Sequence, residues 1–415
     1  MKYELLAPVG NFRNLYAAIE AGADAVYFGV KGFNMRDAAK NFGVKDFKKI
    51  RKICESTCNS VHSRKGTAPS VPLEGKVPSS SCKMYLTLNV VMYDSELARV
   101  EKIVKAAKGI VDAIICWDLA VIELCRKYGI PFHVSTQASV SNVSAAKFYK
   151  KLGAERVVLA RELNLKQIAK IAKIIDVETF CHGAMCVAVS GRCFMSQYTH
   201  GLSANRGQCA QLCRRSWDIK DDSGNELKLE NSRVMSAKDL CTLPFVGKMK
   251  TAGITSFKIE GRNRSPEYVY TVVGEYRKAL DKKLSHAEIV SGIDNLKKVY
   301  HRGLSSGFYL KMPTADDFSF SENGEQKEKK VFVGKVYKYW PRAGVCSVKM
   351  NTGKLGVGDE VYLIGDGKAV ERVVVKSIEL EGKGVNSVKK GDDVGVDFGV
   401  KVRNGTEIYV IKKVK

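Results

Sequence analysis

The first 270 residues alternate between short runs of β-branched or aromatic residues and longer amphipathic stretches. Short apolar runs are typical of buried strands, and apolar residues three and four positions apart mark one face of a helix. The strand-like runs are Glu4–Ala7, Ala25–Gly29, Met84–Asn89, Ala113–Trp117, Phe132–Ser135, Arg156–Ala160, Val177–Phe180 and Ser256–Glu260. The helical stretches include Asn14–Ala21, Leu97–Ala107, Ala145–Leu152, Leu165–Ile174 and Pro266–Leu280.

This alternation predicts an α/β fold in which crossover helices join parallel strands. Eight strand–helix units in a chain of 415 residues fit a (β/α)8 TIM-like barrel better than an open doubly wound sheet. An open dinucleotide-binding sheet would carry a G-x-G-x-x-G turn after its first strand, and the sequence has none there. We therefore expect the barrel to occupy residues 1–318.

Two segments interrupt the pattern. Residues 56–81 are rich in Ser, Pro, Gly and Lys, which predicts a mobile surface insertion in the second unit. Residues 319–330 form a charged polar linker. Residues 331–415 then contain short strand-like runs separated by glycine-containing turns, which predicts a small C-terminal antiparallel β-barrel. These runs are Val331–Val336, Val345–Met350, Glu360–Leu363, Arg372–Ile378, Asp393–Asp397 and Glu407–Ile411.

The composition indicates a protein with a buried core, since 45% of its residues are hydrophobic. No stretch approaches the roughly 20 apolar residues of a membrane span, so we expect no membrane association. The N-terminus lacks the basic start and apolar run of a signal peptide, which predicts a cytoplasmic protein. In that compartment the 12 cysteines are expected to be thiols or metal ligands rather than disulfides.

The formal net charge of +24 indicates a polyanionic partner, most simply RNA or DNA. A lysine-rich surface that only keeps the protein soluble explains the charge equally well. A protein partner and a homo-oligomer are also open, because the sequence does not distinguish them.

Four cysteines lie within 28 residues, at Cys186, Cys193, Cys209 and Cys213, with the spacing C-x6-C-x15-C-x3-C. Thiolates that converge on one centre are the ligands of an iron–sulfur cluster or a structural zinc ion. Structural zinc sites usually use closely spaced cysteine pairs, and only Cys209 and Cys213 form one. Unligated buried cysteines explain such a concentration poorly. We therefore favour a cluster over zinc.

The segment from Glu178 to Ser196, which contains ETFCHGAMC and SGRCFMS, resembles the signature of the collagenase-like peptidases of unknown catalytic type, peptidase family U-thirty-two. Further matches make the resemblance nearly full-length, at Ala7–Asn11, Ser135–Gln137, Asn205–Cys213, Ser236–Cys241 and Lys258–Arg262. Some members of this family are named for protease activity. Others resemble oxygen-independent hydroxylation factors for tRNA, 23S rRNA and ubiquinone.

The resemblance implies that Cys186, Cys193, Cys209 and Cys213 hold a 4Fe–4S cluster, with Cys241 as a possible substitute ligand. It also implies prephenate as the oxygen donor in the RNA reactions. A cysteine protease would instead need one thiolate with a positioned histidine, and His182 is the obvious partner. That assignment leaves the three further cysteines unexplained.

Phe180 ends the seventh predicted strand, so His182 and the cysteines should emerge at the carboxyl end of the barrel, where such barrels place their chemistry. The other strand ends would bring further polar side chains to this mouth, namely Asn11, Asn89, Asp118, Thr136, Gln137, Arg161, Glu162, Glu260 and Arg262. From this set, the candidate catalytic residues are His182, Glu260, Arg262 and Arg161.

Arg161 and Arg262 could bind a dicarboxylate such as prephenate, or an RNA phosphate, through paired N–H groups. Salt bridges at the rim with Glu162 and Glu260 are an equally good interpretation. His182 could be an acid/base group or could orient the cysteine loop. Asp118 could be a base, although a helix N-cap is favoured.

These features favour an iron–sulfur protein that takes part in RNA hydroxylation without molecular oxygen, most simply on tRNA. The positive charge favours RNA over a quinone. So does the run Leu355–Val361, which resembles domain two of translational GTPases, a barrel that contacts tRNA and the ribosome. The alternatives are a peptidase that uses Cys186 or a metal-bound water, and a non-catalytic RNA-binding factor with a structural cluster.

Overall fold

The computed structural model describes residues 3–37, 39–61, 81–217, 222–224, 235–321 and 324–414. Eight parallel strands form a closed barrel, with β9 paired to both β1 and β7. They are β1 (Glu4–Pro8), β2 (Ala25–Gly29), β3 (Lys83–Leu88), β4 (Ala113–Cys116), β5 (Phe132–Val134), β6 (Arg156–Val158), β7 (Asp176–Gly183) and β9 (Ser256–Ile259). The TIM-like barrel is thereby confirmed, with every strand boundary within three residues of the expected one.

The chain forms ten helices among the described residues. They are α1 (Phe12–Glu20), α2 (Phe47–Val61), α3 (Asp94–Ala107), α4 (Leu119–Tyr128), α5 (Val143–Lys151), α6 (Leu165–Ala172), α7 (Met195–His200), α8 (Val246–Thr251), α9 (Pro266–Asp281) and α10 (His286–Leu296). All but α7, which lies in the cysteine-bearing loop after β7, contribute apolar residues to the core around the barrel. Side-chain oxygens start several of them by accepting an otherwise unpaired N–H of the first turn. Asn11 caps α1 and Asp118 caps α4 in this way. No helix in the described part of the chain is long and apolar enough to cross a membrane.

Two short strands extend the barrel wall beyond the end of β7. The strand β8 (Asp239–Cys241) pairs antiparallel with His182 and Gly183, and β10 (Leu304–Ser305) pairs with β8. Neither was expected, because two or three residues carry no readable periodicity. They bring the segment around residue 240 next to the loop that carries the cysteines.

The interior of the barrel contains buried charges. Glu178 is fully buried and pairs with Lys258, whose Nζ lies 2.6 Å from Glu178 Oε1. Arg156 lies 3.6 Å from the other Glu178 oxygen and also pairs with Glu4. Because buried charges are tolerated when they are paired, this network fixes the interior side chains below the mouth.

Two expected boundaries need correction. The helix α2 continues through Val61, so residues 56–61 are helical and do not belong to a surface insertion. The remainder of that predicted insertion, residues 62–80, lies outside the described residues. The strand β11 begins at Glu328 because residues 328–330 pair with residues 411–413, so the linker ends before residue 330.

The C-terminal region is antiparallel, as expected. Eight of its strands form one sheet, and β13 pairs with β18. The strands are β11 (Glu328–Trp340), β12 (Val345–Met350), β13 (Lys354–Gly356), β14 (Glu360–Gly365), β15 (Lys368–Val374), β16 (Ser377–Leu380), β17 (Lys383–Val385), β18 (Ser387–Lys389), β19 (Asp393–Asp397) and β20 (Glu407–Lys413). They enclose a separate hydrophobic core. Its resemblance to domain two of translational GTPases stays a prediction.

Candidate functional site

The loop after β7 carries the four cysteines predicted to be metal ligands. Cys186 and Cys209 are exposed, while Cys193 and Cys213 are half-buried. Burial raises the pKa of Cys213, Arg214 opposes that shift, and the thiols of Cys186, Cys209 and Cys193 raise it further. All three other thiols therefore lie within electrostatic range of Cys213.

The donor set on this loop consists of thiols. Within the residues that the structure describes, no three His, Cys, Asp or Glu side chains lie close enough together to hold one metal ion. Thiolates on a single zinc ion would be about 3.8 Å apart, given Zn–S bonds of about 2.3 Å in a tetrahedron. A four-iron cluster binds each cysteine through a different iron atom and takes ligands that are spaced more widely. The chemistry of the donor set therefore fits an iron–sulfur cluster. The assignment of the four cysteines as its ligands stays a prediction.

The middle of the cysteine loop is anchored to the loop that follows β2 and to the first turn of α3. Arg206 forms a two-point ion pair with Glu96, at 2.5 and 2.7 Å. Its neighbour Gly207 has a φ of +90°, and a Cβ there would lie 2.2 Å from the carbonyl oxygen of Asn34. Only glycine, which has no Cβ, permits this approach. Gly207 therefore allows the cysteine loop to pack directly against the loop that follows β2.

The two ends of the cysteine loop are held by arginines. Arg161 Nη1 donates to the carbonyl oxygen of Ala184, at 2.8 Å. Arg214 donates to the carbonyl oxygens of Met185 and Ala237, and so joins the start of the loop to its end. Guanidinium groups that hold backbone carbonyls restrict the positions of the cysteines next to them.

At the mouth of the barrel, three guanidinium groups surround one carboxylate. Arg36 Nη2 lies 2.9 Å from Glu260 Oε1, and the Glu260 side chain is only 12% exposed. Burial alone would raise the pKa of Glu260, but Arg36, Arg161 and Arg262 together lower it to about 2. Glu260 is therefore ionised at neutral pH. Among the described residues the ion pair of Glu260 is with Arg36, whereas Arg262, for which a rim salt bridge was an alternative, acts on Glu260 through its charge without a direct contact.

Arg262 is nearly inaccessible, with 4% of its surface exposed. Its Nη1 donates to the Thr87 hydroxyl at 3.0 Å. Burial lowers the pKa of Arg262 to about 10, and the nearby Arg36 acts in the same direction. The Nε atoms of Arg262 and Arg161 are buried without a hydrogen-bond partner in the described structure. The mouth thus has more positive charge and more N–H donors than its own residues satisfy.

His182 lies outside the barrel wall. A register shift between Phe180 and His182 turns its ring towards α9, between Tyr268 and Tyr276, whose ring centroids lie 6.1 and 5.5 Å away. Burial lowers the pKa of His182 to about 3, with His301 and Arg264 adding to the effect. The imidazole is therefore neutral at physiological pH. Its assignment as a catalytic group stays a prediction.

Cys241, the possible substitute ligand, lies on β8 and is 6% exposed. Its Sγ lies 3.8 Å from the Tyr276 hydroxyl, and its charge acts on Cys181. It therefore belongs to the layer between the barrel and α9, together with His182.

Other strand-end residues mainly stabilise the mouth. Asn89 Nδ2 donates to Ser135 Oγ and Gln137 Oε1, each at 3.1 Å. Thr136 donates to the carbonyl oxygen of Leu159, and Glu162 is exposed. Asn11 and Asp118 are helix caps.

Arg36 was not predicted from the sequence, yet it lies closer to the Glu260 carboxylate than the two predicted arginines do. Arg36 follows β2, so the rule that strand ends meet at the mouth could have found it. Tyr27 was also missed. It lies inside the barrel, and its hydroxyl is 3.4 Å from Glu260 Oε2.

Comparison with known proteins identifies the family. Residues 10–63 and 76–319 match the model of peptidase family U32. A collagenase of Porphyromonas gingivalis is 38% identical over 99% of this chain and 98% of its own. A tRNA hydroxylation protein of Bacillus subtilis is 34% identical over 88% of this chain and 84% of its own. A 23S rRNA 5-hydroxycytidine synthase of Escherichia coli is 35% identical over 74% of this chain and 45% of its own. This chain belongs to peptidase family U32.

Proposed function

We propose that this protein is an iron–sulfur enzyme that hydroxylates RNA, most simply tRNA, without molecular oxygen and with a prephenate-like donor. The observation that carries the proposal is the position of an all-thiol loop beside a mouth where three guanidinium groups face one carboxylate. The similarity to proteins named for tRNA hydroxylation and rRNA 5-hydroxycytidine synthesis supports RNA as the substrate.

Cys186, Cys193, Cys209 and Cys213 would hold the cluster. When bound, an iron–sulfur cluster supplies electron-transfer chemistry that protein side chains lack. The chain itself would fix the position of the thiols through Arg161, Arg214 and the close approach of Gly207 to Asn34.

The arginines at the mouth would bind the carboxylates of the donor. A carboxylate accepts paired N–H groups from a guanidinium, and Arg161 and Arg262 each retain a buried N–H without a partner in the described structure. An incoming anion would also offset the repulsion between Arg36 and Arg262. Glu260 would position these arginines and would not accept a proton, since its pKa of about 2 keeps it ionised.

Mass spectrometry of nucleosides tests the proposal. A strain without the gene is complemented with the wild type, with Cys213→Ser, or with Cys346→Ala as a control in the core of the C-terminal sheet. We expect a hydroxylated tRNA nucleoside in the wild-type and Cys346→Ala strains only. Identical nucleoside spectra in all strains, including the uncomplemented one, would refute RNA hydroxylation.

Peptidase activity is the second candidate, because the relative that is 38% identical is named a collagenase. The structure gives His182 no exposed thiol partner among the described residues, since it lies between two tyrosines behind the barrel wall. Cleavage of gelatin by pure protein is the test. Cleavage that disappears in Cys193→Ala would favour a peptidase over the hydroxylase, whereas cleavage that survives would come from another site or a contaminant.

A further inference from the structure

A cleft of about 1190 Å³ lies beside the barrel, away from the guanidinium groups of the mouth. One wall contains residues from the region of β8 and from the stretch between α10 and β10, and the other contains Ser319, Phe320 and residues of the segment 324–329, which runs into the start of β11. Its volume exceeds the roughly 300–1,000 Å³ of most small-molecule sites. The cleft therefore has room for a ligand longer than one small metabolite.

The charge in the cleft is mainly positive. Its charged lining residues are Lys238, Lys297, Arg302, Lys327, Lys329 and Glu325. Lys327 is paired with Asp294 at 3.0 Å, and Arg302 lies 3.5 Å from Asp239. Neither Lys297 nor Lys329 forms an ion pair with any described residue. These two ammonium groups remain available to an anionic ligand.

Backbone hydrogen bonds hold the two walls together. The amide of His301 donates to the carbonyl oxygen of Glu325 at 2.9 Å, and that of Lys238 donates to Asp317 at 2.8 Å. The described structure thus fixes the outer wall to the barrel at both ends of the cleft. A preformed site of this kind loses little conformational entropy when a ligand binds.

An exposed aromatic ring lies at the cleft. Phe320 lines it and is 64% exposed. The ring of Tyr300 is less available, because the Arg264 guanidinium lies 3.7 Å from its centroid. Base stacking on an aromatic side chain next to cationic groups is a common mode of single-strand nucleic-acid binding.

The cleft is connected to the cysteine loop. Arg302 Nη2 donates to Gln211 Oε1 at 3.0 Å, and Gln211 lies between Cys209 and Cys213 in the sequence. A chain that binds in the cleft would therefore pass close to the predicted cluster loop.

We propose that this cleft binds the single-stranded RNA that flanks the modified nucleotide. Lys297 and Lys329 contact its phosphates, and Phe320 stacks on a base. This inference rests on the proposed function for the identity of the nucleotide that reacts, but binding itself can be measured without any reaction.

The test is the affinity of the full-length protein for a fluorescein-labelled single-stranded RNA of mixed sequence, measured by anisotropy at several salt concentrations. The variants are Phe320→Ala and the double variant Lys297→Glu with Lys329→Glu. The matched controls lie on α5, which contributes no residue to the cleft. They are Phe148→Ala, at a side chain that is 57% exposed, and the double variant Lys147→Glu with Lys151→Glu, at two exposed lysines. Circular dichroism checks that each variant is folded.

We expect Phe320→Ala to weaken binding roughly 5- to 150-fold, the range that loss of one base stack produces. The lysine variant should reduce the slope of log K against log salt by about 0.7 for each lost phosphate contact. Affinities and slopes equal to those of the matched controls would overturn the cleft assignment. Normal cleft-dependent binding together with unchanged cellular nucleosides would refute hydroxylation and leave the cleft assignment intact.

Discussion

At the scale of single residues, Glu260 determines the charge balance of the mouth. Its carboxylate faces Arg36, Arg161 and Arg262, whose positive charges together lower its pKa to about 2. Because removal of a buried counter-charge leaves the opposite charges unpaired, substitutions here should destabilise the fold.

We predict that Glu260→Gln lowers the free energy of unfolding by about 3 kcal/mol at pH 7, the value that corresponds to its pKa shift from 4.5 to about 2. The ionised Glu260 carboxylate contributes a free energy of unfolding that is fully present above pH 4.5 and is lost as the pH falls towards 2. The difference between wild type and variant in urea unfolding should therefore shrink below pH 4.5. The exposed Glu162→Gln serves as control and should change stability by less than about 0.5 kcal/mol.

His182 should make the protein sensitive to acid. Its pKa is about 3 in the folded protein against 6.5 in a model peptide, so the unfolded state binds the proton more readily. The contribution of this imidazole to the free energy of unfolding is fully present above pH 6.5. It decreases as the pH falls towards 3, by at most about 1.4 kcal/mol per pH unit. His182→Gln should flatten the pH dependence of unfolding in that range, whereas the exposed His286→Gln should not. An unchanged slope in His182→Gln would contradict the burial of a neutral imidazole.

The positions of Glu260 and His182 differ in how far the sequence could predict them. The rule that strand ends meet at one mouth placed Arg161, Glu260 and Arg262 there, because it depends only on topology. The same rule failed for His182, since a one-residue shift in register turned its side chain to the helix side of β7. Such a shift leaves no mark in the residue pattern.

At the scale of elements, the periodicity of apolar residues predicted the strands of the barrel but not the short strands β8 and β10 that extend its wall. Strands such as β2 were predicted to the residue, because buried parallel strands are apolar throughout. The run Arg372–Ile378 was predicted as one strand, but the structure divides it between β15 and β16. The contact between Gly207 and Asn34 joins distant parts of the chain and could not be read from either segment alone.

Two glycines of the cysteine loop provide a matched test of that contact. Gly207 and Gly201 both have positive φ angles, +90° and +65°, but only Gly207 has a neighbouring atom, Asn34 O, where a Cβ would be. Gly207→Ala should displace the loop from the barrel, reduce the iron content after reconstitution and increase proteolysis between Cys193 and Cys213. Gly201→Ala should cost about 1 kcal/mol of backbone strain and retain iron. Equal iron contents in the two variants would show that the contact does not position the cysteines.

At the scale of the whole molecule, the net charge of +24 and the basic cleft predict RNA binding with a large electrostatic component. Binding that releases counterions from RNA weakens linearly in log salt. We expect the affinity of the wild type for tRNA to fall at least tenfold between 50 and 200 mM salt, which corresponds to about two or more phosphate contacts. A salt-independent affinity would mean that the charge serves solubility alone.

We propose above all that the four thiols of one loop hold an iron–sulfur cluster at the open end of the barrel. The most direct measurement is the iron and acid-labile sulfide content of protein purified and reconstituted without oxygen, for the wild type, Cys213→Ser and Cys346→Ala. We expect on the order of four irons and four sulfides per chain in the wild type and in Cys346→Ala, and a large loss in Cys213→Ser. Colourless wild-type protein without iron, or iron that is unaffected by Cys213→Ser, would contradict this proposal.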